Sequence, residues 1–115
     1  MVQTEDRLKV NDQRQALIWK DTGIRLRVID QLRALAEQYG LSLLVLFGSR
    51  ARGDYRRESD IDLAASGGSI DGFRLAAEEE TDTLLQYDVL NLNALTDGKL
   101  LDEIRRDGKI VYEKV

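Results

Sequence analysis

Apolar residues along this chain change their spacing several times, and each change marks an element. Between Thr22 and Tyr39 the positions Leu26, Ile29, Leu32, Leu35, Ala36 and Tyr39 recur at steps of three and four, the stripe of an amphipathic helix. Asp21 or Thr22 is placed to cap its start and Gly40 to end it. The nearly continuous apolar run from Leu41 to Phe47, bounded by Gly40 and Gly48, is too short for a typical helix and predicts a central strand buried on both faces. A polar stretch from Gly48 to Ser59 follows. Asp60-Ile61-Asp62-Leu63-Ala64-Ala65 then alternates as a second strand, and Ser66-Gly67-Gly68-Ser69 breaks the chain.

Ile70 to about Thr83 reads as a helix with a ragged end at Glu78-Glu79-Glu80. Leu84 to Leu92 holds a third strand centred on Tyr87-Asp88-Val89-Leu90, and a short helix from Ala94 to Arg106 comes next. Asp107-Gly108 signals a turn before Lys109-Ile110-Val111-Tyr112-Glu113, a final strand expected at the edge of the sheet. The order α, β, β, α, β, α, β on this scale predicts a two-layer α/β or α+β domain. Residues 1–20 are charge-rich and read as an N-terminal arm or short helix, leaving 21–115 as the domain. The apolar cluster Ala16-Leu17-Ile18-Trp19 in that arm has two readings, a docking surface for a partner or a core-facing helical turn.

Composition narrows the chemistry. A chain of 115 residues suits one hydrophobic core and leaves no room for a second folded unit. Without Cys or His it has no disulfide framework, no thiolate or imidazole zinc site, and no Cys nucleophile or His base. The longest clean apolar run is far too short to span a bilayer and the first twenty residues do not resemble a signal peptide, so the expected location is the cytoplasm, away from membranes. A net charge of −4 argues against a broad nucleic-acid-coating face, and nucleic acid is not expected as a direct acceptor.

Carboxylates, hydroxyls and a hard cation are what remain. Asp60 and Asp62 lie two apart in a predicted strand, so their side chains leave the same face with Cα atoms about 6.6 Å apart at ~3.3 Å per residue. At an effective dielectric of about 20 their repulsion is on the order of 2.5 kcal/mol, which a divalent cation reverses. An oxygen-only donor set selects Mg²⁺ or Mn²⁺ over zinc. Just upstream, Gly48 allows close backbone approach to a phosphate and Ser49 offers a hydroxyl and an N–H. A helical turn starting within Arg50 to Gly53 would add amides for an anion, and Arg50, Arg52, Arg56 and Arg57 make a local basic neighbourhood in an acidic protein. A plain solvated edge strand and a solvated basic turn would carry the same residue types.

Gly48-Ser49, then ten residues, then Asp60-Ile61-Asp62 resembles the signature of the DNA polymerase β-like nucleotidyltransferase superfamily. The fuller strings Phe47-Gly48-Ser49-Arg50-Ala51-Arg52-Gly53 and Ser59-Asp60-Ile61-Asp62-Leu63 resemble its minimal nucleotidyltransferase group, over roughly Thr22 to Tyr112. The resemblance implies the small two-layer nucleotidyltransferase fold, a mixed sheet of about four strands with helices packed on it. It implies a third carboxylate from a neighbouring strand, for which Asp88 occupies the matching place and Asp82, in a polar stretch, is the competitor. Asp60, Asp62 and Asp88 would then bind two Mg²⁺ ions (or Mn²⁺) and serve catalysis, Gly48 and Ser49 would hold the phosphates of a nucleoside triphosphate such as ATP, and Arg52 would contact a phosphate or the pyrophosphate.

Members of the minimal group occur as antitoxins beside a small helical partner of the HEPN class, where AMP is transferred to a tyrosine hydroxyl of the toxin. The resemblance thus implies AMP transfer from ATP to a hydroxyl of a protein partner, a HEPN-type toxin or substrate-binding subunit. Two alternatives stand beside it: a non-catalytic subunit that acts by binding a partner, and a nucleotidyltransferase for an aminoglycoside-like small molecule, with a homo-oligomer building the pocket.

Overall fold

The computed structural model describes residues 16–115. Residues 16–19 are helical and end in a turn at Lys20. The elements that follow are α1 (Leu26–Gln38), β1 (Leu43–Phe47), the one-turn α2 (Gly48–Arg52), β2 (Ile61–Ser66), α3 (Ile70–Glu80), β3 (Tyr87–Asn91), a 3₁₀ turn (Leu92–Ala94), α4 (Gly98–Asp107) and β4 (Lys109–Glu113). The strands form one four-stranded mixed sheet in the order β3-β2-β1-β4. β1 runs antiparallel to both β2 and β4, whereas β2 and β3 are parallel and joined through α3. The expected fold is present, with β1 central and β4 at an edge.

The predicted stripe forms α1, but its limits and caps differ. The helix starts after Arg25, which makes no side-chain cap, and Leu26 is 37% exposed while Val28 takes a core position. Thr22 instead closes the preceding turn: its hydroxyl donates to the Trp19 carbonyl and accepts from the Ile24 amide. Gly40 does end the helix. With φ +70° it permits a Schellman motif in which the Leu41 amide reaches the Ala36 carbonyl and the Gly40 amide reaches Glu37.

The other boundaries shift for local reasons. α3 is capped by Ser69, which accepts from the Gly72 amide, and stops at Glu80 rather than near Thr83. The third strand is shorter than the run Leu84 to Leu92, with Leu84 fully exposed in the preceding loop. α4 begins only after Asp97, whose carboxylate accepts from the Lys99 and Leu100 amides, so the expected start at Ala94 falls in the 3₁₀ turn.

One sheet face carries the main core. Ile29 and Leu32 of α1, Phe73 of α3, and Leu44, Leu46, Ile61 and Leu63 of the strands are fully buried together. Each contributes about 1.5–3 kcal/mol on burial. Trp19, at 2% exposure, joins this core as a core-facing helical turn would, while Leu17 and Ile18 are exposed. The remainder of the expected arm, residues 1–15, lies outside the described residues. The opposite face holds a smaller cluster of Val45, Phe47, Ala64 and Ile104 under α4, beside an apolar groove of about 410 Å³ lined by Leu43, Val45, Ile104 and Ile110. No helix among the described residues is long and apolar enough to cross a membrane.

Candidate active site

Strand pairing places the carboxylates. In the ladder Asp62 of β2 stands beside Asp88 of β3 on one side and Phe47 of β1 on the other. Phe47 is the residue before Gly48-Ser49, so the Gly-Ser turn and both aspartates lie in one row across three adjacent strands. Ile61, Leu63 and Ala65 fill the main core, and alternation turns Asp62 and Ala64 to the α4 face. Asp60 shares that parity, immediately before β2 begins, and is exposed, as is Asp88; Asp62 is half-buried.

Gly48 brings the turn against this row. It has φ +75°, and a Cβ built there would lie 2.3 Å from the Asp62 Oδ2 atom. The Asp62 carboxylate therefore occupies the space a side chain would need and packs directly on the Gly48 backbone. Gly48 also starts α2, so the helical turn expected within Arg50 to Gly53 begins two residues earlier.

The carboxylates crowd one another. Burial first, then the charges of Asp88, Asp60 and Glu103, push the Asp62 carboxyl up to about 6 from its usual value near 3.8, with Arg52 opposing. Glu103 projects from α4 and sequence reasoning missed it, because an acid on an amphipathic helix reads as ordinary solvated surface. It is paired with Arg52 Nη1 at 2.7 Å, and Arg52 Nε also meets Asp54 at 3.2 Å. Arg52 is thus present at the rim of the site but is held by two carboxylates.

The basic neighbourhood resolves into different roles. Arg56 and Arg57 are exposed. Arg50 contradicts the picture of a surface cluster: it is 2% exposed and spends its fork on backbone carbonyls. Asp82 sits away from this row, ion-paired with Arg27 of α1, which lowers its carboxyl, and its amide donates to Gln31. Of the two candidates for a third carboxylate, Asp88 is the one brought beside Asp62.

Among the described residues no three His, Cys, Asp or Glu side chains are gathered into a closed metal-holding group. The donor chemistry nevertheless fits a hard divalent cation. Asp60, Asp62 and Asp88 offer oxygen only, and what raises Asp62, after its burial, is repulsion from Asp88 and Asp60 that such an ion relieves.

A small mixed sheet whose paired aspartates face a Gly-Ser turn defines a domain of the nucleotidyltransferase type. The family described as "Polymerase beta, Nucleotidyltransferase" matches residues 30–115, and the chain belongs to that family. Among curated protein sequences none matches the chain. Similar solved structures include a toxin–antitoxin with AMP-PNP (23% identity, 75% of this chain and 73% of that one, TM-score 0.56). A candidate minimal nucleotidyltransferase is 24% identical over 70% of this chain and 86% of its own, with TM-score 0.57. A third, the toxin–antitoxin MntA–HepT, is 18% identical over 78% and 74% of the two chains, with TM-score 0.54. These likenesses are of fold.

Proposed function

We propose that this chain transfers a nucleoside monophosphate, AMP from ATP, to a hydroxyl of a protein partner. The observation that carries the reading is the convergence of Gly48 on Asp62, with Asp88 alongside in the strand ladder. Asp60, Asp62 and Asp88 would hold Mg²⁺, which when bound neutralises phosphate charge and lowers the pKa of the attacking hydroxyl. Gly48 and Ser49 present backbone and hydroxyl to the triphosphate tail. Asp88 takes the hydroxyl proton as the oxygen forms its bond to the α-phosphorus. The bond from that phosphorus to the bridging oxygen breaks and pyrophosphate leaves. Positioning and electrostatics supply most of the rate.

The acceptor reading draws support from exposure. Asp60 and Asp88 lie open at the surface, which suits a hydroxyl presented by a macromolecule. Two of the similar structures are toxin–antitoxin assemblies, one with AMP-PNP, which favours a small helical toxin of the HEPN type as partner and ATP as donor. Intact-mass spectrometry of such a partner after incubation with this protein, ATP and Mg²⁺ tests the proposal, beside an Asp60→Asn/Asp62→Asn control. An adenylate-sized increment lost in the control is the expected result. A partner that binds but gains no mass would leave only a binding role.

A further inference from the structure

Arg50 stands apart from the arginines around it. Its Nε donates to the Ser59 carbonyl at 2.9 Å, Nη1 to Thr22 at 2.9 Å and Nη2 to Arg57 at 3.1 Å. The guanidinium lies over the Tyr55 ring, 4.5 Å from its centroid. Taking a cation out of water costs several kcal/mol, and the burial holds Arg50 below its ordinary pKa even though Tyr55, Asp60 and Asp62 pull the other way. An apolar side chain would fill the same space more cheaply. What it could not do is hold three carbonyls in a fixed planar fork.

Those carbonyls mark where the fork acts. Ser59 is the residue before Asp60, and Arg50 is the residue after Ser49. Between them the Arg56 amide donates to Ser59 Oγ at 2.8 Å and the Ser59 amide to the Arg56 carbonyl at 3.0 Å, while the Gly53 and Asp54 amides turn back to the Ser49 carbonyl. The third contact reaches Thr22, at the turn after Trp19, and so ties the chain upstream of α1 to the same point.

We infer that Arg50 is a positioning residue: its fork fixes the loop between the Gly48-Ser49 turn and Asp60, and thereby sets the separation of the phosphate-binding and metal-binding halves of the site. The inference rests on the nucleotidyltransferase reading of that site. It differs from a role through charge alone, in which any cation near Asp60 and Asp62 would serve.

The test is Mn²⁺ binding to the full chain with a non-hydrolysable ATP analogue, followed by electron paramagnetic resonance, for wild type, Arg50→Lys, Arg50→Met and Tyr55→Leu, with melting temperatures in parallel. Loss of a group that orients ligands costs about 10- to 100-fold in metal affinity. That loss is expected in folded Arg50→Met and also in Arg50→Lys, because Lys keeps the charge but not the fork. Wild-type affinity in Arg50→Lys, or in a folded Arg50→Met, overturns the inference. Should neither Arg50 variant fold, Tyr55→Leu decides: weaker Mn²⁺ binding at an unchanged melting temperature supports positioning, and unchanged affinity refutes it. A wild-type chain that binds no Mn²⁺ with the analogue would instead sink the reading of the site itself.

Discussion

The two faces of the sheet are built for different purposes. Under α1 and α3 the side chains of Ile29, Leu32, Leu44, Leu46, Ile61, Leu63 and Phe73 are wholly removed from solvent. Under α4, among the described residues, only Val45, Phe47, Ala64 and Ile104 form the buried cluster, and Leu43, Leu90, Leu92, Leu95 and Leu100 are partly buried against it. The carboxylate row lies on this thinner face, where Asp62 replaces what would otherwise be another apolar contact. Stability is therefore concentrated on one side, and the side with less of it accommodates charges that repel one another.

Breaking each face should produce opposite signatures. The largest effect expected is from Asp62→Asn on the α4 face, which removes nucleotidyl transfer by on the order of 10³-fold or more, measured as the rate of mass increment on the partner, with the fold intact. On the other face Phe73→Ala should cost about 3–5 kcal/mol in urea unfolding, and Ile104→Ala, with fewer buried neighbours, should fall near 2 kcal/mol, the low end of such truncations. Equal losses at the two positions would show that the faces share the load.

A pH series sharpens the contrast. The Asp62 carboxyl is raised in the folded protein, so between about pH 4 and 6 the native state binds more protons than the unfolded chain. Stability of the metal-free protein should fall as pH rises through that window, by about 1–3 kcal/mol for a shift of this size. Asp62→Asn should flatten this segment of the curve and make the chain more stable than wild type at pH 7, with the gain absent at pH 3.5. The smallest effect expected is from Arg52→Ala, whose partly exposed pairs with Glu103 and Asp54 should leave the thermal unfolding midpoint almost unmoved.

The hydrophobic pattern carried most of the architecture. β1 is legible because a short apolar run between two glycines has few other solutions, and the alternation in Asp60 to Ala65 already puts the aspartates opposite the core. Caps were harder, because Thr22, Asp97 and Arg25 differ in role only through the chain's path around them. The site divides in the same way. Gly48, Asp60 and Asp62 stand out by local spacing, and Asp88 by the family resemblance together with its place in an apolar strand; the strand ladder brings Asp88 beside Asp62. The inward turn of Arg50 and the arrival of Glu103 from α4 depend on contacts between residues distant in the chain, and in sequence each is one charged residue among many.

The close approach of Gly48 to Asp62 makes position 48 the point at which the motif is most easily broken. A side chain at that position would have to evict the carboxylate it touches or distort a backbone that favours glycine. A Gly48→Ala variant of this chain would lose the room that seats the second aspartate of the Asp-x-Asp pair. Such a chain keeps the letters of the motif without its geometry.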